Sequence, residues 1–220
     1  LSLYRDHFCR RAGPITSRTK CGDRAAMTTL VIDTATSRTS VGLFDGAVPL
    51  FAGRHDGATE HGEALPRLVS GALDLGRPIT QVLVGMGPGP FTGLRVGITF
   101  AEVFARSKGI PWAGICSLDG IVSGVKGEYI VATDARRKEI YWAKFDSGKR
   151  ITEPQVSLPE EVQAFGLPVY GEGASRYGFE ADIDMIYPHP LFMLASLEWA
   201  DGVHQPMYLR KPDAVPTSER

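Results

Sequence analysis

From residue 27 onward the apolar and polar positions follow two alternating rhythms. Short runs rich in β-branched residues, bounded by turn formers, predict strands over residues 29–34, 40–44 and 48–53. A stretch of helical period then predicts a helix over 62–75, followed by a strand at 81–86 and a second helix at 94–107. A short strand at 112–115 and a helix at 118–125 close the first half. The second half repeats the order: strands at 128–133, 139–145 and 151–156, a helix at 159–165 and a strand at 168–170.

The repeat extends to single residues. Leu30-Val-Ile-Asp33 leads into a hairpin ending at Asp45, and Ile130-Val-Ala-Thr-Asp134 leads into one ending at Asp146; in both, twelve residues separate the two aspartates. This spacing, with the matching order of elements, predicts duplicated units over residues 27–125 and 126–220, the second smaller. Paired three-strand meanders with crossover helices resemble the ribonuclease H-like unit that occurs twice in the actin-like ATPase superfamily. The expected fold class is therefore α/β, two such units, each a mixed sheet with crossover helices. Residues 1–26 are different: six basic residues, two acids and no apolar period. They read as a disordered basic extension or as upstream translation before a start at Met27, with a nucleic-acid-binding arm as the alternative.

Composition narrows the function classes. With 220 residues, 43% apolar and 22% charged, the chain has the makeup of an ordinary globular protein with a sizeable core. A formal net charge of −1 argues against nucleic-acid binding through the overall field and leaves room for a local basic patch. Cys9, Cys21 and Cys116 lack the spacing of a disulfide framework or a zinc site, which points to a reducing cytoplasm.

The densest local signal is Gly85-Met-Gly-Pro-Gly-Pro-Phe-Thr-Gly-Leu-Arg95, a glycine- and proline-rich turn between a strand and a helix. A phosphate loop needs Lys-Ser/Thr after its last glycine, and Leu94-Arg95 stands there. A dinucleotide fingerprint would come at the first strand and one residue tighter. A rigid connection that starts a helix explains the turn without a ligand. Asp33, Thr34, Gly87, Gly89 and Thr92 remain weak candidates for a nucleotide contact, and an anion contact at the loop amides stays open. On the second hairpin the turn Asp134-Ala-Arg136-Arg137-Lys138-Glu139 puts three cations where a phosphate-closing loop has small residues. Arg136, Arg137 and Lys138 are thus either a solvated tip or a contact to RNA or an acidic partner. His61 has Leu65, and no second histidine, one turn on, so no metal site is expected, and no cofactor. His189 and His204 receive no role. Cys116 reads as an inert buried thiol.

The two long helices suggest a surface. In the second, apolar residues span an arc of about 220° at 100° per residue, more than the roughly 100° a sheet covers. Leu94, Gly97, Ile98, Ala101 and Ala105 are taken as a partner face, the small residues allowing close approach. In the first helix His61, Leu65, Leu68, Ala72 and Leu75 follow the 4-3-4-3 spacing of shallow-angle packing. Packing of the two helices on each other accounts for part of this pattern.

Gly87-Pro-Gly-Pro-Phe-Thr-Gly-Leu-Arg95 resembles the G-P-G-S-F-T-G-L-R signature of the TsaB family. Four further motifs, in order, resemble that family: Leu30-Val-Ile-Asp-Thr-Ala-Thr36; His61 with Leu65-Pro66; Asp134-Ala-Arg-Arg-Lys-Glu-Ile-Tyr-Trp-Ala143; and Pro206-Met-Tyr-Leu-Arg210. The sequence departs from the family pattern at Pro90, where Ser is usual, and in the shortness of residues 173–204. The resemblance implies a non-catalytic subunit that supports TsaD, the enzyme transferring a threonylcarbamoyl group to adenosine 37 of tRNAs that read codons beginning with A. It also implies that the ATPase TsaE docks on the pair, that tRNA is met through the complex, and that the two long helices form a bundle with TsaD or with a second copy. The rival expectation is a stand-alone actin-like ATPase or small-molecule kinase using Asp33, Thr34 and the glycine loop.

Overall fold

The computed structural model describes residues 27–179, 185–198 and 202–210. The basic segment 1–26 therefore lies outside the described residues. The first five strands form one mixed sheet: β1 (Thr28–Asp33), β2 (Arg38–Asp45), β3 (Val48–Asp56), β4 (Gln81–Gly85) and β5 (Trp112–Ile115), in the order β3-β2-β1-β4-β5. β1, β2 and β3 pair antiparallel as a meander; β4 pairs parallel with β1 and β5 with β4. The parallel connections run through α1 (His61–Leu73) and α2 (Phe91–Lys108), as parallel pairing demands. β1 is buried at every position while β3 is partly or fully exposed throughout, the contrast between a central strand covered on both faces and an edge strand. This is the ribonuclease H-like arrangement.

The two faces of that sheet are covered from different parts of the chain. Leu30, Ile32, Val41 and Leu43 pack under α1 and α2 through Leu65, Val69, Ala72, Leu94, Ile98, Ala101 and Ala105. Val31, Phe44, Leu83 and Ile115 are covered instead by α5 (Pro190–Ser196), which supplies Met193, Leu191 and Leu194 from far along the sequence.

A second sheet holds β6 (Glu128–Asp134), β7 (Ile140–Asp146), β8 (Lys149–Arg150) and β10 (Val169–Tyr170) in the order β10-β6-β7-β8, with β9 (Gln155–Ser157) also on β7. The short helices α3 (Pro159–Gln163) and α4 (Glu172–Arg176) flank it. One face packs on Val162 and Ala174 from these helices; the other is covered by Cys116, Leu118, Ile121 and Val122, the segment that leaves the first sheet. Two mixed sheets with helices are present as the sequence predicted, the second repeating the order of the first four strands, with no counterpart of β5 among the described residues.

Two elements differ from the sequence reading. The strand expected over 151–156 is split, because Pro154 has no N–H to donate and the Thr152 hydroxyl takes a ladder position, accepting from Lys144 N at 2.9 Å. The helix expected over 118–125 is a single 3-10 turn, Ser117–Gly120. Gly124 takes a left-handed φ of 80°, and the apolar side chains of this stretch are drawn onto the second sheet rather than arranged around a helix axis.

Candidate functional site

The glycine loop is built around the first turn. A Cβ on Gly85 would overlap Asp33 Oδ2 and crowd Ser117 Oγ; on Gly89 it would strike the Ala35 carbonyl, on Gly93 the Thr34 carbonyl, and on Gly97 the Thr34 hydroxyl. Four glycines spaced four apart thus let the loop and the start of α2 lie directly on residues 33–35. The polar groups of that turn are engaged there. Asp33 is 1% exposed and accepts from Ala35 N at 3.0 Å and Ser117 Oγ at 2.5 Å. Burial pushes its carboxyl up to about 6, against the pull of those two hydrogen bonds. Thr34 is fully buried and donates to the Gly93 carbonyl at 2.8 Å. Gly87 and Gly89 are buried as well, and Thr92 is the only one of the five weak nucleotide candidates that is exposed.

The turn also touches the second sheet. Ser37 Oγ donates to Glu172 Oε1 at the start of α4, and burial raises the Glu172 carboxyl. Gly171, at φ 104°, and Gly173 sit against the Ala132 backbone. The first turn of one sheet therefore meets the first turn of α4 beyond the other.

On the second hairpin Asp134 mirrors Asp33 in position and differs in partners. It is 6% exposed; its Oδ1 accepts from Arg136 N at 3.0 Å and Tyr177 OH at 3.1 Å, and its Oδ2 pairs with Arg176 Nη1 at 3.2 Å. Arg136, Arg137 and Lys138 take φ of 63°, 53° and 64°, three successive side-chain-bearing residues in the left-handed region. The backbone here adopts angles that glycine favours, and all three residues are exposed. Two hydrogen bonds, Ala135 N to Glu139 O at 2.9 Å and Glu139 N to Arg136 O at 3.0 Å, hold this costly conformation.

Three motifs that are remote in sequence meet here. Met207 N donates to the Met86 carbonyl at 2.8 Å, laying the Pro206-Met-Tyr-Leu-Arg210 segment beside the glycine loop. Tyr208 packs on Phe91 with ring centres 4.8 Å apart, and Arg210 pairs with Glu139. Gly89, Thr92, Arg136, Arg137, Tyr208 and Arg210 line a cavity of ≈ 250 Å³. The weak loop candidates and the basic tip, separate readings of the sequence, thus border one space.

The helix pair requires a correction. His61, Leu65, Ala72, Leu94, Gly97, Ile98, Ala101 and Ala105, expected to face a partner, are buried inside the first unit, where α1 and α2 pack on each other and on the sheet. Gly97 is small because Thr34 lies against it. Of the expected interface residues only Leu68, half-buried, and Leu75, 47% exposed, reach the surface. The second apolar arc of α2 is instead Val96, Phe100, Val103 and Phe104, spaced i, i+4, i+7 and i+8. Val103 is 60% exposed, the other three are half-buried, and Phe100 stacks on Phe104 at 6.0 Å.

His61, His55 and Cys116 have structural roles. His61 Nδ1 shares a hydrogen bond with Thr39 Oγ1 at 2.8 Å, and burial lowers its pKa. His55 bonds Glu60 at 2.7 Å. Burial drives the Cys116 thiol strongly upward, leaving it a poor nucleophile. Among the described residues no three His, Cys, Asp or Glu side chains are grouped to hold a metal ion, and no helix is long and apolar enough to cross a membrane. Asp119, buried and bonded to Arg150 Nε at 2.9 Å, escaped the sequence reading, because nothing local marks a pair 31 residues apart.

Comparison with known proteins agrees with this geometry. The family model of TsaD, tRNA N6-adenosine threonylcarbamoyltransferase, matches residues 29–192. An uncharacterized protein of Mycobacterium tuberculosis is 35% identical over 208 residues, 86% of this chain and 94% of that protein. The tRNA threonylcarbamoyladenosine biosynthesis protein TsaB of Escherichia coli is 34% identical over 129 residues, covering 54% of this chain and 55% of its own length. The solved structure of YeaZ from Pseudomonas aeruginosa superposes with a TM-score of 0.64 at 23% identity, over 83% of this chain and all of that one. With a family model matching residues 29–192, the chain belongs to the TsaD family, tRNA N6-adenosine threonylcarbamoyltransferase, and within it is similar to the proteins named TsaB.

Proposed function

We propose that this chain is a non-catalytic subunit of the machinery that makes threonylcarbamoyladenosine in tRNA, acting in the cytoplasm by binding and supporting a TsaD-like transferase. One observation carries the reading: the acidic and hydroxyl groups at both strand ends, Asp33, Thr34 and Asp134, are engaged within the chain, while α2 leaves Val103 exposed beside Val96, Phe100 and Phe104, which are half-buried against the core. A phosphoryl- or acyl-transfer enzyme needs such groups free to meet substrate or metal. A supporting subunit needs a surface.

In this reading the row Val96, Phe100, Val103 and Phe104, with Leu68 and Leu75 of the α1 end, meets the transferase, or a second copy of the chain when the transferase is absent. A TsaE-like ATPase docks on the pair. Arg136, Arg137 and Lys138, exposed at the strained tip, contact tRNA or an acidic partner surface. Mixing the chain with the TsaD-like transferase of the same cell tests this directly by co-elution. Val103→Asp is expected to abolish co-elution while the fold persists. Retained co-elution would place the interface elsewhere, and magnesium-dependent ATP turnover by the isolated chain would favour an ATPase or kinase instead.

A further inference from the structure

The face of the first sheet that α5 covers is not covered to its edge. A groove of ≈ 790 Å³ remains beside β2 and β3, lined by Arg38, Ser40, Arg54, Tyr187, His189 and Phe192 among others. Antiparallel register places Arg38 opposite Asp56 and Ser40 opposite Arg54, so these four side chains share one face. It is the α5 face, since a Cβ on Gly42, two residues beyond Ser40, would meet Pro190.

The groove wall is rich in donors. The Ser40 residue is 4% exposed, and its hydroxyl has no hydrogen-bond partner among the described residues. Arg54 is exposed and makes no hydrogen bond or ion pair among them. Arg38 is held by Asp56 through Nε at 2.6 Å and Nη2 at 3.0 Å, which leaves Nη1 to donate, and its guanidinium lies 4.1 Å over the Tyr187 ring. His189 Nδ1 accepts from Leu191 N at 3.2 Å, so its Nε2 carries the proton. The carboxylate here, Asp56, is bonded by Arg38 and is also held down in pKa by the nearby charge of Arg54. Two guanidiniums, the Ser40 hydroxyl and an imidazole N–H beside aromatic walls match an oxyanion joined to a planar ring. The cavity at the glycine loop is a weaker case, because Arg136 and Arg210 there already pair with Asp134 and Glu139.

We propose that this groove binds a ribonucleotide, its phosphate on Arg38, Ser40 and Arg54 and its base against Tyr187 and Phe192. The ligand is a free nucleotide or one unit of an RNA strand, which offer the same chemistry. Calorimetric titration of the full chain with AMP, and separately with a short single-stranded RNA, tests it in the wild type, Arg54→Glu and Ser40→Ala. Arg54 is exposed, so thermal unfolding and co-elution with the transferase should match the wild type. The dissociation constant is expected to rise about tenfold or more in Arg54→Glu and several-fold in Ser40→Ala. AMP binding so weakened identifies a free nucleotide as sufficient, and RNA binding so weakened with AMP silent identifies a strand. Absence of both ligands from the wild type, or wild-type affinity in Arg54→Glu, overturns the proposal.

Discussion

At the scale of single residues, the glycines of the loop serve contact with the first turn more than flexibility. Gly85 abuts the Asp33 carboxylate and the Ser117 hydroxyl, so Gly85→Ala is expected to cost about 3 kcal/mol by overpacking, measured by denaturant unfolding; a change under about 0.5 kcal/mol would deny the contact. Asp33 itself makes stability depend on pH. Its folded pKa of about 6 lies above the ordinary aspartate value of 3.8. Between these values the unfolded chain releases a proton that the folded chain keeps, so stability contributed by this group is full below about pH 4 and falls as pH rises to about 6, by about 3 kcal/mol. Asp119, also raised to about 6 by burial, adds a second loss in the same window. Asp33→Asn should remove the contribution of Asp33 to the slope of unfolding free energy against pH there, leaving that of Asp119. The sequence marked Asp33 and each glycine, because motif residues are dense and local. It could not show that they touch, since 52 residues separate Asp33 from Gly85.

At the scale of elements, hydrophobic period located both long helices and nearly every strand, α2 beginning three residues early at Phe91. What period cannot reveal is which apolar arc finds its cover inside the chain. Gly97, Ala101 and Ala105 looked suited to a partner because they are small; they are small because Thr34 and the sheet lie against them. Two substitutions on α2 separate the arcs. Ala101→Asp buries an unpaired charge and should unfold the first unit or cost about 3 kcal/mol or more. Val103→Asp should change stability by less than about 0.5 kcal/mol, with circular dichroism and thermal melting as the readout. The broken strand at Thr152 and Pro154 was illegible because side-chain competition for ladder positions leaves no periodic mark, and the lost helix after Gly120 because its apolar residues are drawn onto a sheet that their local pattern does not show.

At the scale of the whole molecule, the two sheets are tied by pairs no motif announces. Ser37 meets Glu172, Asp119 meets Arg150, and α5 returns to cover the first sheet. Removing Arg150 strands a buried carboxylate, so Arg150→Met should destabilise by about 3 kcal/mol at pH 7 and less at pH 5, where Asp119 can take up a proton; equal loss at both pH values would mean that Asp119 is not the cause. These ties, and the engagement of both strand-end aspartates, support the proposal that surfaces rather than reacting groups carry the work of this chain. The most direct measurement is the threonylcarbamoyladenosine formed on tRNA by the TsaD-like transferase of the same cell, supplied with threonylcarbamoyl-adenylate, without this chain, with it, and with its Asp33→Asn variant. The account predicts little product without the chain and equal product with wild type and variant. Full product without the chain, or loss of product with a folded Asp33→Asn that still co-elutes, would contradict it.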